Sequence, residues 1–201
     1  MNSKQKKAKL LANLTKDRLR PSLKSGDKSI DALLQNAETI DLSGEDIKKI
    51  CNNQVKVIPY HELEGVESIE ELLNPFNAVI LLYETKQNFG HYTALLIDPN
   101  GDLEFFDSYG FAPDQELNYA KYDNKPFLTE LLSKYKGTIV YNDKQYQEWA
   151  KDVNTCGRWT ATRVRLAKKF NLKQFQDLFD GLRYFNGDFM VSALTFLYTF
   201  D

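Results

Sequence analysis

The chain has 201 residues, of which 42% are hydrophobic and 13% aromatic, and its formal net charge is -2. This composition suits one domain with a substantial core and argues against global disorder. No apolar stretch approaches the ~20 residues that span a bilayer. Two cysteines and two histidines, scattered along the chain, favour neither a disulfide framework nor a zinc site, so we expect a reducing compartment and no bound metal.

The charge is unevenly distributed along the chain. Residues 1–28 contain nine Lys or Arg and two Asp, about +7, so the remaining chain carries about -9. A basic arm on an acidic body suggests nucleic acid, or an acidic surface, as a partner of the arm, although a solvated and partly helical tail has the same pattern. Leucines at helical spacing predict a helix over 4–19, and a second short helix is predicted over 30–35. We therefore divide the chain into a basic arm, 1–28, and a single domain, 29–201.

The first half of the domain alternates short helices and strands. The segment 43–46, Ser-Gly-Glu-Asp, resembles a capping box and predicts a helix through Cys51, which faces the core. A short strand is predicted over 55–58. His61 follows in a loop without a visible carboxylate or thiol partner, so we expect a surface or capping histidine. A short helix is predicted over 68–73.

The centre of the chain is rich in strands. The continuous apolar run 78–83 predicts a central strand that is covered on both faces. We expect a polar turn over 84–90 and a second strand over 92–97. The Asp-Pro-Asn-Gly sequence at 98–101 then predicts a hairpin to a third strand over 103–106.

This hairpin has a chemical consequence. His91 lies where its first strand begins, and Asp107 lies where its second strand ends. These two ends are neighbours in an antiparallel pair, so the hairpin alone brings an imidazole and a carboxylate together. A polar loop to about Asn124 follows.

The rest of the chain is mainly helical. We predict a helix over 127–135, a strand over 138–141, and two final helices over 172–182 and 189–198, the last capped by Asp188. Helices, a strand cluster and further helices together indicate an α+β domain.

Cys156 is the candidate nucleophile. Small or apolar residues recur at helical steps after it as far as about Phe170, and Asn154 or Thr155 can cap this helix. The thiol therefore falls in the first turn, where the helix dipole and free N–H groups favour thiolate over thiol.

These residues form one possible catalytic constellation. His91 would be the general base, Asp107 the group that orients it, and Cys156 the nucleophile. Gln147, or less suitably Gln145, would donate to an oxyanion together with a helix N–H. Taken singly, a histidine at a strand end, an Asp-Ser after a strand and a Cys-Gly at a helix start are common structural features. The hypothesis depends on their conjunction.

The sequence also resembles a known family. Gly-His-Tyr at 90–92, Phe-Asp-Ser at 106–108 and Thr-Cys-Gly at 155–157 resemble the adenovirus-type and SUMO-protease branch of cysteine peptidases, whose order is His, Asp, Gln, Cys. The resemblance is closer to capsid-maturation proteases of virophages, Polinton-like elements and large DNA viruses, because of Asn-Thr-Cys-Gly-Arg at 154–158. It covers roughly residues 78–168.

The resemblance implies a papain-like cysteine protease fold, with a central mixed or antiparallel sheet flanked by helices. It also implies thiol-dependent cleavage of peptide bonds after small residues. Tyr92, where the family more often has Trp, would close a narrow substrate channel. The family's glutamine lies six or seven residues before the cysteine, where this chain has Trp149 and Ala150. Assigning the oxyanion role to Gln147 therefore assumes a small insertion.

The resemblance further implies partners and a location. Capsid or other virion precursors would be the substrates, in the virion and the host cytoplasm, and DNA bound by the arm would be a non-covalent activator. We expect a monomer that needs no cofactor and no membrane. Three alternatives remain: a deconjugase of ubiquitin-like proteins, an acetyltransferase with the same residues, and a non-enzymatic DNA- or capsid-associated protein.

Overall fold

The computed structural model describes residues 37–181 and 186–199. The basic arm 1–28 and the helices expected over 4–19 and 30–35 lie outside these residues. The described part contains a five-stranded mixed sheet flanked by helices. This confirms the α+β class and the central mixed sheet. No helix in these two ranges is both long and apolar enough to cross a membrane.

The sheet follows chain order, with each strand beside its sequence neighbours. The two central pairings, β2–β3 and β3–β4, are antiparallel, whereas the outer pairings, β1–β2 and β4–β5, are parallel. The strands are β1 (Lys56–Pro59), β2 (Ala78–Lys86), β3 (Phe89–Ile97), β4 (Leu103–Asp107) and β5 (Ile139–Tyr141).

The helices lie close to their predicted positions. They are α1 (Gly44–Ile50), α2 (Ile69–Leu73), α3 (Phe127–Lys134), α4 (Cys156–Ala167), α5 (Leu172–Asp180) and α6 (Gly187–Thr199). Two 3-10 helices, Tyr60–Leu63 and Gln115–Asn118, were not predicted. The second lies in the segment that was expected to be a polar loop.

Strand periodicity explains how the sheet buries both of its faces. On β2, Ile80 and Leu82 join a cluster with residues of α1, α4 and α5. The alternate residues, Val79 and Leu81, join a second cluster with residues of α2 and α3. The prediction that the apolar run 78–83 forms a central strand covered on both faces is therefore confirmed.

Helix α1 begins as its sequence predicts. Ser43 accepts the Asp46 N–H, and the Asp46 carboxylate accepts the Ser43 N–H, which is a complete capping box. At the other end, Cys51 is 5% exposed and its thiol contacts the Ala161 carbonyl of α4. The second cysteine therefore belongs to the core, as expected.

The polar segment 84–90 is not an open turn. Strands β2 and β3 extend into it, so that Glu84 pairs with Gly90 and His91 becomes the third residue of β3. Asn88 makes the tight turn with a φ of 58°, and its N–H donates to the buried Glu84 carboxylate. Glu84 also lies 3.6 Å from the exposed His61 ring. His61 is a surface histidine, as expected, and its carboxylate neighbour is distant in sequence.

Candidate active site

The hairpin of β3 and β4 joins His91 to Asp107. Thr93 lies opposite Asp107 in the register, and His91 reaches the carboxylate from two residues earlier on the same face. The distance from His91 Nε2 to Asp107 Oδ1 is 3.2 Å, and the two residues are 8% and 0% exposed. The structure thus brings together the two residues that the hairpin pattern paired.

Asp107 is fixed by bonds to its own backbone and side chain. Its N–H donates to Asn142 Oδ1 at 2.9 Å, and Asn142 Nδ2 donates to its carbonyl oxygen at 2.6 Å. The Tyr109 N–H donates to Asp107 Oδ1 at 2.6 Å. Asn142 directly follows β5, so the parallel β4–β5 pair helps to hold the acid in position.

Tyr109 covers the imidazole. Its ring stacks on His91 with centroids 4.8 Å apart and an interplanar angle of 18°. Tyr109 lies in the turn that directly follows β4, where its N–H also donates to Asp107 Oδ1. The ring centroid of Trp149 lies 4.5 Å from that of Tyr109. No motif in the sequence marks Tyr109 as a residue of the site.

Cys156 is the first residue of α4, and its side chain is half-buried. The first N–H groups of a helix have no intrahelical acceptor, so they are available to a thiolate or an oxyanion. The Thr160 hydroxyl contacts the carbonyl oxygens of both Cys156, at 2.7 Å, and Tyr92, at 3.1 Å. This contact attaches the first turn of α4 to β3 beside His91.

His91 is shared between the acid and the thiol. Burial disfavours its charged form, but the charge and hydrogen bond of Asp107 and a hydrogen bond with Cys156 outweigh this effect. The pKa of His91 therefore lies well above its ordinary value. Because Nε2 faces Asp107, Nδ1 is the ring nitrogen that remains for the thiol. The imidazole can hold a proton between a sulfur and a carboxylate.

Gln147 is buried close to this pair. Its Oε1 accepts from the Ser108 hydroxyl at 2.9 Å, and its Nε2 donates to Tyr109 Oη at 3.1 Å and to the Val153 carbonyl at 3.0 Å. Gln145 is exposed, and its amide donates to the Gln147 carbonyl. Gln147 is therefore the better placed of the two glutamines, and its oxyanion role stays a prediction.

A cavity of about 220 Å³ opens beside the thiol. Tyr92, only 7% exposed, forms part of its wall. Two glycines also border it: a Cβ on Gly157 would lie 3.1 Å from Ile47 Cδ1, and one on Gly90 would lie 1.9 Å from the Tyr83 carbonyl oxygen. The remaining lining residues are Asp41, Leu42, Ser43, Asn88, Phe89, Asn154 and Cys156. A larger cavity, about 650 Å³ beside α2, shares none of these residues.

Thr155 is the N-cap residue of α4, one of the two positions predicted for this cap, whereas the predicted cap of α6 differs from the structure. Asp188 is the second residue of α6, and its N–H donates to the side chain of Asn186, which lies at the N-cap position. The Thr155 hydroxyl donates to the Asp188 carboxylate instead of accepting an N–H of α4. The prediction failed because the charge of Asp188 is used between two helices and not within its own.

Asp188 joins the two segments of the proposed site. In addition to the Thr155 hydroxyl, its carboxylate accepts from Trp159 Nε1 at 2.8 Å and from the Glu148 N–H at 2.9 Å. Thr155 precedes the candidate nucleophile, and Glu148 follows Gln147. One fully buried carboxylate therefore links the side chains of Thr155 and Trp159 to the backbone of Glu148.

We predict that Asp188→Ala lowers the free energy of unfolding by about 3 kcal/mol or more, because it leaves three donors without their acceptor. Urea denaturation at neutral pH measures the change. Lys173→Ala, which removes one member of an exposed pair on α5, is the control and should cost less than ~0.5 kcal/mol. Equal stability of the two variants would contradict this role of Asp188.

A second carboxylate, not predicted from the sequence, lies near His91. Glu116 is 5% exposed, and its Oε1 lies 3.6 Å from His91 Nε2. One potential ligand atom each of His91, Asp107 and Glu116 lies within 4.8 Å of the others. We interpret this group as an acid–base cluster, because the imidazole is positioned between Asp107 and the thiol. No local motif marks Glu116, since its position depends on how the loop after β4 folds back.

Comparisons with known proteins find a relative among curated proteins and several matching chains among solved structures. No family model matches the chain. The chain is 35% identical over 156 residues to "Uncharacterized protein V9" of Sputnik virophage, and the match covers 74% of this chain and 89% of the relative. The central domain of the uncharacterized Lpg1148 protein from Legionella pneumophila has a TM-score of 0.42 at 15% identity, over 79% of this chain and 96% of that one. The SUMO protease Ulp1, with its catalytic cysteine oxidized to a sulfonic acid, has a TM-score of 0.35 at 13% identity, over 82% of each chain. The chain belongs to the same family as protein V9 of Sputnik virophage.

Proposed function

We propose that this protein is a virus-encoded cysteine endopeptidase of papain-like fold. Cys156 is the nucleophile, His91 the general base and acid, and Asp107 the group that orients the imidazole. One observation supports this most strongly: a buried imidazole lies 3.2 Å from a buried carboxylate, and a thiol at the start of a helix is near enough to help raise the pKa of that imidazole. A cysteine, a base and an orienting acid in contact are the parts that nucleophilic catalysis requires.

The proposed reaction follows from these contacts. The Cys156 thiolate attacks the peptide carbonyl carbon, and the imidazolium of His91 gives its proton to the leaving amine. The resulting thioester is then hydrolysed by a water molecule from which His91 removes a proton. Asp107 stabilises the imidazolium throughout and keeps Nδ1 directed at the sulfur.

The oxyanion would be stabilised from two directions. The N–H groups of the first turn of α4 supply one donor, beginning with Cys156 itself. Gln147 supplies the other through Nε2, whose present acceptors are Tyr109 Oη and the Val153 carbonyl. The bond from Gln147 Nε2 to the Val153 carbonyl would keep the amide in place. The oxyanion of the substrate would then replace the Tyr109 hydroxyl as the second acceptor of Gln147 Nε2.

The cavity beside the thiol favours substrates with small side chains. Its volume of about 220 Å³ is below the ~300–1,000 Å³ of pockets that hold drug-sized molecules. Tyr92 forms one wall, and the absence of a side chain at Gly90 and at Gly157 lets Tyr83 and Ile47 pack directly against the backbone that borders the cavity. We therefore assign cleavage after small residues to this protein, with Tyr92 in contact with the substrate.

The substrates we propose are capsid or other virion precursors, in the virion and the host cytoplasm. The virophage relative supports a viral origin. We retain the proposal that the protein acts as a monomer without a cofactor. DNA binding by arm 1–28, and activation by bound DNA, stay predictions because the arm lies outside the described residues.

A cleavage assay tests the proposal. The full chain, incubated with purified capsid precursors of the same virus, should create new termini that follow small residues, as mapped by mass spectrometry. An aliquot blocked with iodoacetamide is the control and should leave the precursors intact. Covalent labelling by a ubiquitin-like vinyl sulfone without precursor cleavage would instead indicate a deconjugase. Acyl-CoA-dependent acylation of Cys156 would indicate an acetyltransferase. If no reaction occurred in any of these assays, the proposal that the protein is an enzyme would be rejected.

A further inference from the structure

Two carboxylates converge on one nitrogen of His91. Asp107 Oδ1 lies 3.2 Å from His91 Nε2, and Glu116 Oε1 lies 3.6 Å from the same atom. Among the described residues, Glu116 Oε1 and Asp107 Oδ2 are buried oxygens without a hydrogen-bond partner. A buried carboxylate oxygen without a donor is costly unless a nearby charge or proton compensates it. Its position beside the imidazole therefore requires an explanation.

The loop after β4 is built to hold Glu116 there. Asp114, with a φ of 64°, turns the chain directly before the 3-10 helix that contains Glu116. The Asp114 carboxylate accepts from the hydroxyl of Tyr60 at 2.7 Å, from the hydroxyl of Tyr83 at 3.2 Å and from the Thr129 N–H at 2.7 Å. These three contacts come from separate parts of the chain. The contacts of Asp114 therefore fix the backbone of the loop, and this backbone determines where the Glu116 carboxylate lies.

We propose that Glu116 is a second acid of the site, a positioning residue that acts on His91 from beside Asp107 and preserves the imidazolium at alkaline pH. The inference rests on the proposed function, since it concerns the same thiol–imidazole pair. It extends that function by giving His91 two acids in place of one. Glu116 touches no reacting atom of the substrate and acts only through the imidazole.

The burial of Glu116 and the charges around it determine the pH at which its carboxyl group ionises. Burial raises the pKa of Glu116 to about 7; the positive charge of His91 opposes this rise, and the negative charge of Asp107 adds to it. The Tyr109 phenol and the Cys156 thiol also belong to this charged neighbourhood: burial raises the pKa of Tyr109, and the charges of Cys156, Glu116, Asp107 and Asp188 add to that rise. Glu116 is therefore protonated below about pH 7 and becomes a second negative charge above it.

This titration makes the contribution of Glu116 dependent on pH. Electrostatic attraction is mutual: the positive charge that lowers the pKa of Glu116 is itself stabilised by the ionised carboxylate. Loss of that carboxylate therefore lowers the pKa of His91. In Glu116→Gln the imidazolium should be lost at lower pH than in the wild type, whereas in acid the two proteins should differ little.

Alkylation of Cys156 measures the imidazolium without a peptide substrate. Iodoacetate is an anion and is attracted by the imidazolium, whereas iodoacetamide is neutral, so the ratio of their rates reports the charge of His91. Burial raises the pKa of Cys51 to about 12, which keeps this second thiol unreactive. EDTA in all samples excludes a contribution from metal ions.

We predict that the rate ratio of the wild type stays high above neutral pH and that Glu116→Gln shifts its fall to lower pH by about one unit. Glu130→Gln makes the same chemical change at an exposed position of α3 and should leave the profile unchanged. Glu116→Asp retains the charge and should recover part of the shift. Circular dichroism at each pH verifies that the variants are folded.

The outcomes separate this inference from the proposed function. If the wild type shows the high ratio and Glu116→Gln has the same profile, the role of Glu116 is rejected and the protease proposal stands. If the wild type shows no elevated ratio at any pH, Cys156 and His91 do not form an ion pair and both proposals fail. Asp107→Asn provides a second comparison. Above pH 7 the Asp107→Asn variant should retain part of the elevated ratio of iodoacetate to iodoacetamide rates. The double variant, Asp107→Asn with Glu116→Gln, should lose this elevation.

Discussion

Replacing either Cys156 or His91 with alanine is expected to reduce peptide cleavage by about 10⁴-fold or more, and the double variant should be no worse than the single ones. The thiol and the imidazole act as one unit, because the nucleophile is a thiolate whose proton is held by the base. Removing either partner removes the unit. Residual cleavage would come from substrate binding and from the oxyanion donors alone. Measurements of kcat/KM on a peptide that spans a mapped cut site provide the comparison.

The second cysteine supplies the matched control for this experiment. Cys51 is buried in the core against α4 and has no contact with His91 among its described contacts. Cys51→Ala should therefore keep near-wild-type kcat/KM, with at most a modest loss of stability. If the Cys51 variant lost cleavage and the Cys156 variant kept it, the assigned nucleophile would be wrong.

The pH dependence of cleavage follows from the same pair. The neighbouring Asp107 charge and the Cys156 contact overcome burial and hold the pKa of His91 well above its ordinary value. The imidazolium is therefore retained at neutral pH and lost only as the pH rises through that higher value. Cleavage by the wild type should persist on the alkaline side of neutrality, since the leaving amine still receives its proton there.

Local sequence patterns were sufficient to predict the central hairpin and the residues it brings together. His91 and Asp107 are 16 residues apart, and a turn signal between two strands determines their approach. The capping box at Ser43 and the apolar run of β2 are equally local. Each of these features depends on neighbours within one or two elements, which the sequence displays directly.

The missed residues have their partners in distant parts of the chain. Glu116 reaches His91 only because Asp114 is held by two tyrosines and α3. Asp188 had the sequence pattern of a helix cap, but its carboxylate instead accepts from Thr155, Trp159 and the Glu148 backbone. A helix cap depends on residues that are neighbours in the sequence, so it can be predicted from a single sequence. A contact between two helices depends on the tertiary fold, which local patterns do not reveal.

Glu104 and Arg163 form another contact between residues that are distant in sequence. Both side chains are fully buried, and the guanidinium donates to both carboxylate oxygens, from Nε at 2.6 Å and from Nη2 at 2.5 Å. Burial raises the pKa of Glu104, and the charge and hydrogen bonds of Arg163 offset part of this rise. The guanidinium also lies 5.2 Å from the ring centroid of Phe175. The pair connects β4, which ends at Asp107, to α4, which begins at Cys156.

We predict that Glu104→Gln lowers the free energy of unfolding by about 3–5 kcal/mol, because it leaves the Arg163 charge buried without a counter-charge. Replacing both residues, with Glu104→Leu and Arg163→Met, should cost clearly less than the single change, since no charge then remains in the core. Lys48→Ala, which breaks an exposed pair on α1, should cost less than ~1 kcal/mol. Urea denaturation of the four proteins gives the comparison. A single variant as stable as Lys48→Ala would show that the pair does not hold β4 to α4, and Asp107 and Cys156 would then need another explanation for their approach.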